Sequence, residues 1–141
     1  MTSSVSQEHV LLAVVRLAMD ASVRASQDVG GVSMVQLRAL TALRQRGAAN
    51  LAQLAEEMGV TVSTGSRLVD RLVAADWVHR AASARNRREI SLTLTDGGKR
   101  MLRRYDARRV ELLRECLERL PAERQEAVLG ALADLAQAAH A

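Results

Sequence analysis

The chain has 141 residues, 48% of them hydrophobic and 26% charged, which is the make-up of one ordinary globular domain, with or without an oligomerisation element. Its single cysteine, Cys116, excludes an intrachain disulfide and so a small secreted disulfide scaffold. The net charge of +4 is uneven: His79 to Arg109 holds ten Lys and Arg against three acids, a local balance of +7, so the remainder carries −3. A basic block on a mildly acidic remainder fits a polyanion-binding face.

There is no Phe, and the aromatics are Trp77 and Tyr105 alone. A core of Leu, Val, Ala and Met favours helices over a β-sandwich. Residues 1 to 6 are mostly Ser, Thr and Val and are expected to fray. From Gln7 to Gln27, Val10, Leu11, Val14, Leu17, Ala18 and Ala21 recur at helical spacing, and Leu12 and Val15 widen the stripe. That helix is apolar on more than one side, as a helix that meets a partner chain would be. Its apolar run, Val10 to Met19, is too short to span a bilayer and contains Arg16. No basic residue precedes the run, which makes it a poor signal peptide, and the expected location is cytoplasmic.

Gly30-Gly31 ends the first helix. Ser33 is placed to cap a second one with Met34, Leu37, Leu40 and Leu43, which stops at Gly47. Asn50 can cap a short third helix with Leu51, Leu54, Ala55 and Met58, ended by Gly59. Thr61 can cap a fourth, whose inward face is expected to be Val62, Leu68, Val69 and Leu72. Trp77 to His79 reads as a short strand, residues 81 to 88 as a loop, and Ile90, Leu92 and Leu94 as the apolar face of a period-two strand. Together these make a hairpin with a basic tip. Thr95 can cap a long helix carrying Leu102, Tyr105, Leu112, Leu113, Cys116 and Leu117, and Pro121 is expected as the first residue of the last helix.

Asn50 to Ala75 has the spacing of a helix-turn-helix. Ala55 lets the second helix approach, and Gly59, four residues on, supplies the turn. On the second helix Ser63, Arg67 and Arg71 stack at i, i+4 and i+8. Short hydroxyls can come close to phosphates or base edges, and Arg can fork onto a guanine or a phosphate. An Arg-tipped hairpin directly after it makes the unit a winged helix-turn-helix, with wing arginines suited to the narrow minor groove.

The stretches "NLAQLAEEMGVTVSTGSRLVDRLVAADWVHR" and "NRREISLTLTDGG" resemble the MarR family of bacterial transcription regulators. The family's wing typically reads Asp, a basic residue, Arg, five residues, Leu-Thr, two residues, Gly. Here Asn86, Arg87, Arg88, residues 89–93, Leu94, Thr95 and Gly98 fill that spacing. The resemblance covers almost the whole chain and implies a mainly α fold with a small β-wing. One MarR-like domain would span 1–141, with a winged helix-turn-helix DNA-binding region at 33–94 and dimerisation helices at 7–28 and 96–140. It further implies a homodimer on a pseudo-palindromic operator in double-stranded DNA, usually as a repressor. It also implies release by a small aromatic or lipophilic effector, held among the first, second and fifth helices. The terminal helices carry more apolar surface than a monomer of this size needs, and a two-fold dimer would set its reading helices about one DNA turn apart.

The residues expected to touch DNA divide by type. Ser63, Thr64 and Arg67 would read bases, Thr61, Ser66 and Arg71 would hold phosphates, and Arg87 and Arg88 would act from the wing with Arg85 in support. Two positions depart from the family. Asn86 stands where an acid usually fixes the arginine two residues on, so its link to Arg88 should be weaker. Asp76 stands where Gly usually closes the recognition helix, and Asp tolerates the left-handed turn better than most residues.

Cys116 lies on the apolar stripe of the fifth helix and is expected to be a buried thiol; the alternative is a redox-responsive regulator acting through it. A dimeric interaction module of the same fold without DNA is the other rival. His9, His79 and His140 lack metal spacing, and the chain has no nucleophile–base set and no Gly-rich phosphate loop. Neither an enzyme nor a cofactor is expected. The cations Lys99, Arg100, Arg103, Arg104, Arg108 and Arg109 read as a solvated or ion-paired face, or as an addition to the field around the wing.

Overall fold

The computed structural model describes residues 6–140. In chain order its elements are α1 (Gln7–Asp28), α2 (Met34–Arg46), α3 (Leu51–Met58), α4 (Val62–Ala74), β1 (Val78–Ala82), β2 (Ile90–Leu94), α5 (Asp96–Leu117) and α6 (Ala122–Ala138). The expected fraying of residues 1–6 falls, for residues 1–5, outside the described residues. Ser6 itself caps α1, its hydroxyl accepting from the His9 amide.

Each expected cap operates. Ser33 with Gln36, and Asn50 with Gln53, form reciprocal capping boxes, and Thr61 and Thr95 accept from the amides of Thr64 and Gly98. Each hydroxyl or amide oxygen satisfies an N–H that the first helical turn leaves open. Gly59 ends α3 with φ 67°, ψ 33°, the left-handed conformation. Asp76 adopts the same region, φ 60°, at the end of α4. The turn survives without glycine because a short polar side chain tolerates it.

The core is aliphatic, as the composition requires. Leu37, Leu40, Leu43, Leu54, Leu72, Leu92 and Leu102 are fully buried, with Tyr105 among them. α3 packs on α4, α2 spans both α3 and α5, and α1 lies along α5. β1 and β2 pair antiparallel, Val78 opposite Leu94 and Ala82 opposite Ile90. A further bridge joins Ala49 to Leu92, with Leu92 N donating to Ala49 O at 2.7 Å. This third edge of the sheet is one residue long, too short for any period to betray it.

Several boundaries differ from expectation. β1 runs to Ala82 and excludes Trp77, whose amide donates to Leu72 O in the turn after α4. The hairpin loop is correspondingly shorter. Val62 is 55% exposed; the inward position of that turn belongs to Gly65, where a Cβ would sit 3.1 Å from Ala55 Cβ. Small residues on both helices, not Ala55 alone, set the close approach. Ile90 is 50% exposed because the hairpin outruns the core it rests on. Pro121 precedes the last helix as its N-cap, with ψ 144°. Cys116 is half-buried, not buried.

The terminal helices leave much apolar surface open. α1 buries only Ala21, Ala25 and Ser26, and α6 buries no residue at all. Leu12, Val15, Leu113, Leu129 and Leu132 are exposed. Between α1, α5 and α6 lies an open apolar groove that includes Leu17, Leu113, Cys116, Val128 and Leu132. No helix among the described residues is long and apolar enough to cross a membrane.

Candidate nucleic-acid interface

α4 turns its buried side, Gly65, Leu68, Val69 and Leu72, toward α3 and the sheet. Thr61, Ser63, Thr64, Arg67 and Arg71 are exposed and Ser66 is half-buried. Helical spacing places Ser63, Arg67 and Arg71 in one outward row. The Thr61 hydroxyl accepts from Thr64 N and donates to Thr64 Oγ1 at 3.1 Å, so much of its capacity goes into capping. Thr64 is thereby oriented at the N-terminal end of the helix, where amide groups and the helix dipole favour an anion.

The wing projects beside this row. Its tip is closed by Ser83 N donating to Glu89 O at 2.7 Å and Glu89 N donating to Asn86 O at 3.0 Å. Asn86 Oδ1 accepts from the Arg88 amide at 3.1 Å. The residue that departs from the family thus fixes the backbone of Arg88 rather than its guanidinium. Arg85 is held likewise, its amide donating to Ser83 Oγ at 3.3 Å. The backbone amides of Arg85 and Arg88 are hydrogen-bonded while the side chains of Arg85, Arg87 and Arg88 are exposed to solvent. At the other side of the hairpin, Asn50 Nδ2 donates to the Glu89 carboxylate, tying β2's approach to the cap of α3.

Five arginines hold carboxylates, Arg44, Arg46, Arg80, Arg108 and Arg109, and the others among the described residues hold none. Arg67, Arg71, Arg85, Arg87 and Arg88 have no carboxylate within 4 Å among the described residues, nor do Lys99, Arg100, Arg103 and Arg104. Arg44 and Arg109 share Asp106, Arg46 pairs with Glu57, and Arg108 pairs with Asp28 and Glu111. Of the basic run on α5, the first turns are therefore free and the later ones are ion-paired. Burial alone would raise the Asp106 carboxyl. The hydrogen bonds and charges of Arg109 and Arg44 outweigh it and hold the group below its ordinary value.

Two interactions of this face are not among those expected from the sequence. Arg80 on β1 binds Asp70 on α4, and Glu89 binds Asn50. With β1 expected to end at His79, Arg80 falls in a loop with no face assigned. Its alternation with Val78 is the signal that could have placed it.

A cavity of about 320 Å³ lies between the reading lobe and the long helices, lined by Ser22 of α1, Met34, Arg38 and Thr41 of α2, Met58 of α3 and Tyr105 and Arg109 of α5. Residues of α1, α2, α3 and α5 thus form its walls. Tyr105 is 3% exposed, its ring under the Arg109 guanidinium. Trp77 packs at the wing base against the core. No group of three or more His, Cys, Asp or Glu that could hold a metal occurs among the described residues.

A helix-turn-helix backed by a bridged sheet edge and extended by a basic hairpin defines a winged helix-turn-helix protein of the transcription-regulator class. The MarR family model matches residues 32–90. The chain is 32% identical over 114 residues to the HTH-type transcriptional repressor MdtR of Bacillus subtilis, covering 81% of this chain and 74% of that protein. The structure superposes on RV1404 from Mycobacterium tuberculosis with TM-score 0.82 and 29% identity, over 98% of this chain and 97% of that one. A mutant of S. aureus MepR bound to an oligodeoxyribonucleotide shares the fold at TM-score 0.75 and 15% identity, over 94% of this chain and 97% of that one. The chain belongs to the MarR family of transcription regulators.

Proposed function

We propose that the protein works as a homodimer, binds a pseudo-palindromic operator in double-stranded DNA, represses nearby genes from the cytoplasm, and is released by a small aromatic or lipophilic effector. The observation that carries the DNA reading is the set Arg67, Arg71, Arg85, Arg87 and Arg88, exposed together on α4 and the wing with no carboxylate within 4 Å among the described residues. Ser63, Thr64 and Arg67 read base edges. Arg71 and the half-buried Ser66 hold phosphates, with Thr61 in a lesser part because it caps the helix. Arg87 and Arg88, supported by Arg85, work from the wing.

Relatives support the reading in their own terms: MdtR is named a repressor, and MepR carries DNA on this fold. A second copy is the natural cover for α6, which buries nothing within its own chain, and for the exposed stripe of α1. The dimerisation helices are then 7–28 and 96–140, and the reading region 33–94. The cavity between lobe and long helices, with Tyr105 and Arg109 in its wall, suits a flat anion.

The test is a gel shift with duplex DNA from the protein's own upstream region. Affinity should fall steeply with salt, by about 0.9 in log K per unit log salt for each phosphate neutralised. Absence of binding at low salt overturns the DNA reading. Sedimentation equilibrium tests the dimer.

A further inference from the structure

α4 carries one carboxylate on its outward face. Asp70 follows Ser63 by seven residues, which at 3.6 residues per turn returns it to within about 20° of the same direction. Its side chain is 61% exposed. A bare anion there would oppose a duplex bearing about one negative charge per 1.7 Å of axis. It is not bare, because Arg80 Nη2 donates to Asp70 Oδ1 at 2.6 Å.

Strand parity explains how Arg80 arrives. Val78, Arg80 and Ala82 face the same side of the hairpin as their partners Leu94, Leu92 and Ile90. Val78 and Leu92 are buried on that side, so Arg80 rises from the face turned toward α4. Its guanidinium stands where α4 and the wing meet. With α4 in the major groove and the wing in the neighbouring minor groove, the sugar-phosphate strand that divides them crosses this junction. The bond to Asp70 uses Nη2, and Nε and Nη1 have no partner among the described residues. Arginine has five N–H donors, enough to serve a carboxylate and a phosphate together.

We infer that Arg80 is a further DNA-contacting residue, forked between Asp70 and the phosphate strand between the grooves, and that Asp70 is the residue that positions it. The inference rests on the DNA-binding reading above. Because the fork forms only with α4 and the wing at their present angle, it favours duplexes that accept both elements over those that accept one.

Fluorescence anisotropy of the full chain tests this, with a duplex from its own upstream region and a scrambled duplex of equal length across a KCl series. Arg80→Ala should weaken the upstream duplex about tenfold and make the salt slope less negative by about 0.9 per protomer. Arg80→Lys should keep the slope but not the affinity, since an ammonium does not fork. Asp70→Asn removes a negative charge, yet should weaken the upstream duplex while leaving the scrambled one unchanged or tighter. Thermal unfolding confirms that each variant folds. If Asp70→Asn tightens both duplexes, Asp70 merely repels DNA; if it weakens both equally, its role is structural. Either result overturns the proposal, as does an unchanged salt slope in Arg80→Ala. If the unmodified protein binds no upstream duplex at low salt, the DNA reading itself fails and this inference falls with it.

Discussion

Arg44 Nη1 lies 2.7 Å from Asp106 Oδ2, joining α2 of the reading lobe to α5 of the long-helix pair across 62 residues of sequence. Arg109 donates to the same carboxylate and covers the Tyr105 ring with its guanidinium 4.3 Å from the centroid. One carboxylate thus links the two halves of the chain beside the cavity wall.

Asp106 should make stability depend on acid. Its folded-state pKa lies below the ordinary value of 3.8, so the unfolded chain binds the proton more readily. The link therefore contributes fully above the unfolded value and is lost as pH falls through the folded one. Urea unfolding from pH 6 downward should show stability declining below about pH 4. The decline should be shallower in Asp106→Asn. A third of the group is exposed, so the effect is modest.

Arg87→Ala should weaken operator binding and make the salt slope less negative by about 0.9 for each phosphate that is no longer neutralised. The readout is a gel-shift series in KCl. An unchanged slope removes Arg87 from the interface.

Asn86→Ala should loosen the wing tip without unfolding the domain, because it removes only the hydrogen bond from the Arg88 amide to Asn86 Oδ1. Hydrogen exchange at Arg88 should accelerate, while exchange at the core residues Leu92 and Leu102 should not.

Gly98→Ala should destabilise the fold by about 1–3 kcal/mol or more, since the added Cβ would overlap the Trp77 carbonyl oxygen, a backbone atom that cannot swing away. Thermal denaturation measures it. Gly98 is thus a packing requirement between the start of α5 and the wing base.

Leu132→Glu should convert the proposed dimer to a monomer with little change in the reading lobe, because Leu132 is 44% exposed and outside the chain's own core. Sedimentation gives the assembly state. Cys116 shares the groove with Leu132 and reports the same event. Its alkylation by iodoacetamide should be slow in the parent protein and faster in the variant.

Helix ends are legible in the sequence because they rest on local chemistry. Ser33, Asn50, Thr61 and Thr95 each need only an amide two or three residues away, and sequence spacing shows that directly. The reading helix and the wing arginines are legible for a similar reason, since charge and period mark them. Relations between distant positions are not. Val62 and Gly65 differ in which one meets Ala55, and helical period alone does not choose between them. The one-residue pairing of Ala49 with Leu92 has no pattern to read, and the Asp70–Arg80 ion pair exists only once the hairpin has folded back on α4.

The two ends of the hairpin meet at a single point. The Thr95 hydroxyl donates to Asp76 O at 2.6 Å, the Thr95 amide donates to Trp77 O at 3.0 Å, and Gly98 presses against that same carbonyl. The root of the wing is thus welded to the first turn of α5, so any tilt of that turn is carried to the wing. A five-residue strand is about 17 Å long, so a tilt of about 10° at the root swings the tip by about 3 Å. That arc is wider than the tolerance of a hydrogen bond. For wing arginines that hold phosphates as proposed, a rotation of α5 of that size would carry them out of reach.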